Sequence, residues 1–303
     1  MPLDRGAERL LRMLAAVPGG PAVPPVEGRR TALRDLAAIA DTPPDPDLAR
    51  TPVEITAEGR TLAGRLYTPA RHASAAIVYV HGGGWTAGDL DTHDAVCSAL
   101  ALGAGLRLLA LDYRRPPEHP FPAAIEDTGA AVLWAAANLS DQVVLAGDSA
   151  GGAVAAAAAW RLACRGDSPV RRLVLLCPIL EIAPTQPSRE AFAEGYFLDP
   201  ARMRADVEAW LGDAARGADP LASPLLIDDL SGFPPTRLHL AEYDPFRDEG
   251  VAFADRLRAA GVDASATVHA GMIHYFYALG RAIPAAGPIL AGVGREIGAA
   301  LTR

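Results

Sequence analysis

The sequence contains no lysine; all 28 of its basic residues are arginine. That absence excludes Schiff-base chemistry, a phosphate-loop lysine and a Ser-Lys dyad. Positive charge is in deficit, with a formal net charge of −8 and a pI near 5.4. A nucleic acid or an anionic membrane surface needs a basic face, so neither is expected as a partner. The pairs Arg29-Arg30 and Arg171-Arg172 are isolated and read as solvated charges. Cysteine is scarce. Cys97, Cys164 and Cys177 lie far apart in apolar segments without a C-x-x-C, which predicts buried free thiols. Long apolar runs are also missing, because the alanine-rich stretch after Ser149 is broken by Arg161. The N-terminal stretch mixes Asp4, Arg5, Glu8, Arg9 and Arg12 with leucines at helical spacing, unlike a signal peptide. A soluble, cytoplasmic protein with no membrane span is expected.

What is present is enough for one large core: 303 residues, half of them hydrophobic. Helical patterns at Arg5 to Val17 and Arg30 to Ala40 flank a proline- and glycine-rich stretch from Pro18 to Gly28. Val53 to Ala57 and Thr61 to Tyr67 alternate apolar and polar around Glu58-Gly59-Arg60, as a hairpin does. Ala75 to Val80 and Leu106 to Leu111 are continuously apolar, as in strands buried on both faces. Strand and helix then alternate. The strands are Gln142 to Ala146, Leu173 to Cys177, Thr236 to Leu240 and Ala264 to His269. The helices are Pro122 to Asn138, Ala150 to Cys164, Arg247 to Ala260 and Ile283 to Leu301. This pattern predicts an α/β fold with a mostly parallel sheet between helices. One interval breaks it: residues 181–217 carry a helical stretch, Pro200 to Leu211, and no strand signal. An insertion above the carboxyl edge of the sheet would lie where such sheets bind ligands.

The strand ending at Ala146 runs into Gly147-Asp148-Ser149-Ala150-Gly151-Gly152, a G-x-S-x-G turn that opens a helix. The two glycines suit a turn too tight for side chains, and the helix aims N–H groups and its positive pole at Ser149. A serine nucleophile needs a base, and the base an orienting acid. Of the downstream histidines, His239 lies inside a strand and His269 ends one, whereas His274 follows Gly271-Met272-Ile273 in a loop. Asp244 stands just past a strand, while Asp248 and Glu249 fall in the first turn of the next helix, where carboxylates commonly serve the dipole. His81-Gly82-Gly83-Gly84-Trp85 directly follows the strand ending at Val80 and lets backbone N–H groups approach a substrate. Each oxyanion donor is worth about 3–4 kcal/mol in such reactions. A phosphate-cradling loop fits less well, since the spacing is not G-x-G-x-x-G and no basic residue follows at once.

Together with Asp112-Tyr113-Arg114, Pro117 to Ala124, Ala222 to Leu226 and Asp244 to Gly250, these blocks resemble the hormone-sensitive-lipase-like family of bacterial esterases. The resemblance runs from about Val53 to the end. It implies an α/β-hydrolase fold, a mostly parallel central sheet with a helical cap built from about residues 1–50 and 181–217, over a catalytic core of about 51–180 and 218–303. It implies Ser149 as nucleophile, His274 as general base and acid, Asp244 as its orienting partner, and the N–H groups of Gly83, Gly84 and Ala150 as oxyanion hole. His81, Gly82, Asp148 and Glu118 would be supporting residues, Gly82 by allowing the turn and Glu118 as a carboxylate near the elbow. No metal or organic cofactor is implied. The expected substrate is a small ester with a short or medium acyl chain; amide or lactone hydrolysis and acyl transfer would use the same residues, and a ligand receptor would be expected to lack a triad member. Relatives often pair through the edge strand and last helix, which makes Ala264 to His269 a candidate homodimer surface. The chain departs from the family at Arg115 and Pro116, at Ala205-Asp206-Val207 where cap aromatics are common, and at Tyr275 beside the base. A wider or wetter pocket is expected.

Overall fold

The computed structural model describes residues 2–16, 23–43, 45–57, 59–166, 168–183 and 185–300. The chain begins with two helices, α1 (Arg5–Ala16) and α2 (Val26–Ala40), and a hairpin of β1 (Ala49–Ala57) and β2 (Arg60–Thr68). It continues through β3 (Ala76–Val80), α3 (Asp94–Ala104), β4 (Arg107–Asp112), α4 (Ala123–Asn138), β5 (Val143–Asp148) and α5 (Ser149–Cys164). After β6 (Val170–Leu176) come the short α6 (Pro187–Ala191) and α7 (Pro200–Leu211), then β7 (Thr236–Tyr243), α8 (Arg247–Ala259), β8 (Ala264–Ile273) and α9 (Ala286–Ala299). The expected linker at Pro18 to Gly28 falls partly outside the described residues, as do Glu58 of the hairpin turn and Leu301 of the last helix.

The strands form one sheet in the order β1-β2-β4-β3-β5-β6-β7-β8, in which the β1–β2 and β2–β4 pairs are antiparallel and the remaining pairs parallel. Every residue of β3 and β5 is buried, which explains their unbroken apolar character. The pleat sends Val78, Val80 and Leu145 to a core beneath α4, α5 and α8, and Ile77, Tyr79 and Val144 to a second core beneath α3 and α9. From β3 the chain moves outward to β4 and then crosses back to β5, so the sheet reverses its winding between β3 and β5. At such a switch point the loops at the carboxyl ends diverge and leave a crevice. Pairing of Val80 with Gly147 sets the loop after β3 beside the turn after β5.

Two expectations need correction. α3 lies in a stretch with no assigned helix, and Cys164 is exposed, while Cys97 and Cys177 are buried free thiols. No described helix is long and apolar enough to cross a membrane.

Candidate active site

Ser149 is the first residue of α5 and adopts a left-handed φ of 51°, a conformation that side chains other than glycine rarely accept and that is found at functional turns. The turn is as tight as its glycines suggested. A Cβ on Gly147 would stand 2.6 Å from the carbonyl oxygen of Gly151, and one on Gly151 would stand 2.2 Å from that of Val80. Both neighbours are backbone and cannot swing aside. The N–H of Ala150 belongs to the first turn of α5, where helical donors have no acceptor within the helix.

The parallel strands β7 and β8 end side by side, and the residues just past them are Asp244 and His274. His274 Nδ1 donates to Asp244 Oδ2 at 2.8 Å, and Ser149 Oγ lies 2.9 Å from His274 Nε2. Because a carboxylate only accepts, the imidazole proton sits on Nδ1 and Nε2 presents a lone pair to the serine. The second oxygen of Asp244 accepts the N–H of Phe246 at 2.8 Å, and the Phe246 ring packs edge-on against His274. All three side chains are buried. His239 and His269 stack on each other in the sheet and take no part. Cys177 was not anticipated here. Its thiol, pushed well above the ordinary range by burial and then by Asp244, lies within 4.8 Å of that carboxylate. Cys177, Asp244 and His274 would be close enough to share a metal ion. A protonated thiol, and a carboxylate and imidazole already aligned on each other, suit proton transfer better than ligation.

The loop His81 to Trp85 passes against this turn. Gly82 donates its N–H to Asp148 Oδ1 at 2.9 Å, and a Cβ there would stand 2.3 Å from Asp148 Oδ2. Gly83 and Gly84 have φ of 115° and 61°. Among the described residues their N–H groups donate to no protein acceptor, and both residues line one cavity with Ser149 and His274. Asp148 is fully buried and also accepts from Tyr79 Oη (2.8 Å), Tyr277 Oη (2.9 Å) and His93 Nε2 (3.3 Å). Burial works against its charge, but His93 and the two tyrosines outweigh it and hold the carboxyl below its ordinary range. His93 is correspondingly raised, Asp148 overcoming the effect of burial. His81 stacks on Tyr113 and is driven down to about 3 by burial and by His93, so it stays neutral.

Glu118 is a correction. Its carboxylate is half exposed and bound by Arg30 of α2 at 2.8 Å, which holds it down to about 2; it touches nothing on the elbow. Asp148 is the carboxylate that supports the turn. Nor does Glu249 merely serve a helix dipole. It is fully buried, accepts the N–H of Leu180 at 2.9 Å and pairs with Arg189 of α6 at 2.9 Å.

The cavity measures about 360 Å³ and draws its wall from both ends of the chain: Leu14, Leu33 and Leu36 of α1 and α2, Met203 and Val207 of α7, with Ile179, Ile182, Phe197 and Tyr275. Where aromatic residues were the family expectation, Asp206 instead binds Arg29 at 2.8 Å and Thr86 Oγ1 at 2.6 Å. It thereby ties α2 and α7 to the glycine loop. A stack of Trp85 on Trp210, ring centroids 4.2 Å apart, makes a second tie. Arg115 turns to Asp112 and the Gly88 carbonyl, outside the cavity wall.

A family model described as the alpha/beta hydrolase fold matches residues 77–278. The chain is 34% identical to an ethyl acetate hydrolase of Pseudomonas putida, over 85% of this chain and 84% of that one. It is 35% identical to the carboxylesterase NlhH of Mycobacterium tuberculosis, over 86% and 85%. Among solved structures it resembles the hyperthermophilic esterase of Pyrobaculum calidifontis, with a TM-score of 0.91 and 32% identity across the whole of both chains. An ester hydrolase from the Lake Arreo metagenome gives a TM-score of 0.93 and 32% identity, covering 99% of this chain and all of that one. With the switch-point turn, the glycine loop and these likenesses together, the chain belongs to the hormone-sensitive-lipase-like esterase family of the α/β-hydrolase superfamily.

Proposed function

We propose that the chain is a serine carboxylesterase acting on short- to medium-chain esters through an acyl-enzyme. The observation that carries this reading is the run of hydrogen bonds from Ser149 through His274 to Asp244, opening on a cavity where two backbone donors are free. Ser149 Oγ attacks the ester carbonyl carbon as its proton passes to His274 Nε2. The negative oxygen of the tetrahedral intermediate is held by the N–H groups of Gly83, Gly84 and Ala150. His274, steadied as imidazolium by Asp244, returns the proton to the departing alcohol. Water then repeats the sequence on the acyl-enzyme and frees the acid. The helices α1, α2, α6 and α7 form the cap, and the volume beneath them supports a limited acyl length. So does the name of the P. putida relative.

Hydrolysis of p-nitrophenyl acetate, butyrate and longer homologues tests the assignment. Ser149→Ala is expected to lower kcat by at least about 10⁴-fold while leaving the fold intact; turnover retained in that variant overturns it. We further propose that the chain works in the cytoplasm, where its free cysteines stay reduced. We also propose that it dimerises through β8 and α9, β8 being an open sheet edge that exposes Val268. A monomer mass in light scattering would dispose of the dimer.

A further inference from the structure

Two arginines line the cavity, and they differ in what they bind. Arg189 is satisfied: it donates to the buried Glu249 carboxyl at 2.9 Å and to the Glu181 carbonyl, and its guanidinium lies over the Phe246 ring at 4.4 Å. Arg202, in the first turn of α7, is not. Among the described residues no carboxylate oxygen lies within 4.0 Å of its guanidinium, whose one hydrogen bond runs from Nη2 to the Arg29 carbonyl at 3.5 Å, the outer limit for such a bond.

The neighbouring acids are engaged elsewhere. Asp206 gives Oδ1 to Arg29 and Thr86, and Asp199 caps α7 by accepting the backbone N–H of Arg202. Burial works against the charge of Arg202, with Asp206 favouring it from beyond contact distance. A guanidinium carries five N–H donors in a planar fork, so most of those on Arg202 have no protein acceptor. The result is a partly desolvated cation on a mainly apolar wall whose other charged residues, Arg189, Asp199 and Asp206, already have partners, in the same cavity as Ser149 and His274. Such a fork matches a carboxylate in shape and charge, and the interaction strengthens where water is excluded. The chain's net charge of −8 disfavours anions at long range. Any preference for them must therefore come from a local contact.

We propose that Arg202 selects esters bearing a carboxylate remote from the scissile carbonyl, holding that carboxylate in its guanidinium fork while the ester lies at Ser149. The inference rests on the reading of Ser149 as an ester-hydrolysing serine. It extends that reading from small esters in general to anionic ones, such as half-esters of dicarboxylic acids or esters of hydroxy acids.

Matched esters that exchange a methyl for a carboxylate test it, with hydrolysis followed by pH-stat. Ethyl hydrogen adipate against ethyl hexanoate places the charge on the acyl side, and 4-acetoxybutanoate against butyl acetate places it on the alcohol side. In at least one pair, the ratio of kcat/KM for the anionic over the neutral ester is expected to fall about tenfold or more in Arg202→Leu, chiefly through KM of the anionic ester. Arg202→Lys is expected to restore part of the ratio. Ratios unmoved by Arg202→Leu in both pairs overturn the proposal and leave ester hydrolysis standing. If the wild-type enzyme turns over none of the four esters, the underlying reading fails and the proposal with it. A readout on the wild type alone covers a variant that does not fold: adipamate should inhibit butyl acetate hydrolysis more strongly than hexanamide, and equal or weaker inhibition overturns the proposal.

Discussion

Asp148 receives four hydrogen bonds at a fully buried site, one residue before Ser149. Its charge is sustained by His93, and through the Gly82 N–H it sets the position of the glycine loop relative to the serine. Replacing His93 by Phe keeps an aromatic ring and removes the cation, leaving a buried carboxylate without its counter-charge. The cost should be about 3–5 kcal/mol of folding stability, read as a lower urea midpoint. kcat should fall as well, because the loop loses its anchor. The residue types of the proposed triad were legible in the sequence: a serine between glycines, and a carboxylate and a histidine just past strands. The group around Asp148 was not. Tyr79, His93 and Tyr277 come from three distant segments, and Tyr79 reaches Asp148 only because β3 pairs with β5 in a register that sets it opposite Ala146. No local spacing encodes that meeting. Arg202 was silent for a similar reason, since an arginine in a helix's first turn reads as solvated until the fold places it on a cavity wall.

Among the elements, α8 is held at its first turn by Glu249, whose side chain points into the protein toward Leu180 and Arg189. Burial pushes its carboxyl from 4.5 up to about 8 against the pull of Arg189. The folded state therefore holds a proton that the unfolded chain releases above its own pKa near 4.5. This group's stabilisation is full below that value and is lost as pH rises through about 8. Urea titrations between pH 5 and 9 should show Glu249→Gln losing less stability with rising pH than the wild type; parallel curves would refute this. Element recognition followed the strength of the pattern. β3, β5 and α7 were visible as apolar runs or a proline-led helix, and the hairpin of β1 and β2 by alternation. α3 was not, because its buried Val96, Cys97, Ser98, Leu100 and Ala101 make too broad a face for a clean period, and no side chain caps its start. The short α6 offers too few turns for any period. β8 runs past the expected end at His269 because Gly271, at φ 74°, carries it through an irregularity to the very edge of His274.

At the scale of the whole molecule, acid should unfold the protein through histidines it keeps neutral. Burial holds His81 at about 3, with help from His93, and His269 at about 4, with help from His239. In the unfolded chain both take up protons near pH 6.5. Their contribution is therefore complete above that value and lost as pH falls toward 3 to 4, and His81→Phe should flatten the acid limb of thermal midpoints against pH. The two ties between α7 and the glycine loop, Asp206 on Thr86 and Trp210 on Trp85, bear on a different property. A substrate too large for the cavity must shift α7, and α7 cannot shift without dragging the segment that carries the Gly83 and Gly84 donors. Admission and turnover are mechanically linked. Oversized esters should then be penalised in kcat, with KM changing far less, as acyl length increases across a homologous series. The cap of this enzyme would thus act as a gauge that measures its substrate by how well the reaction runs.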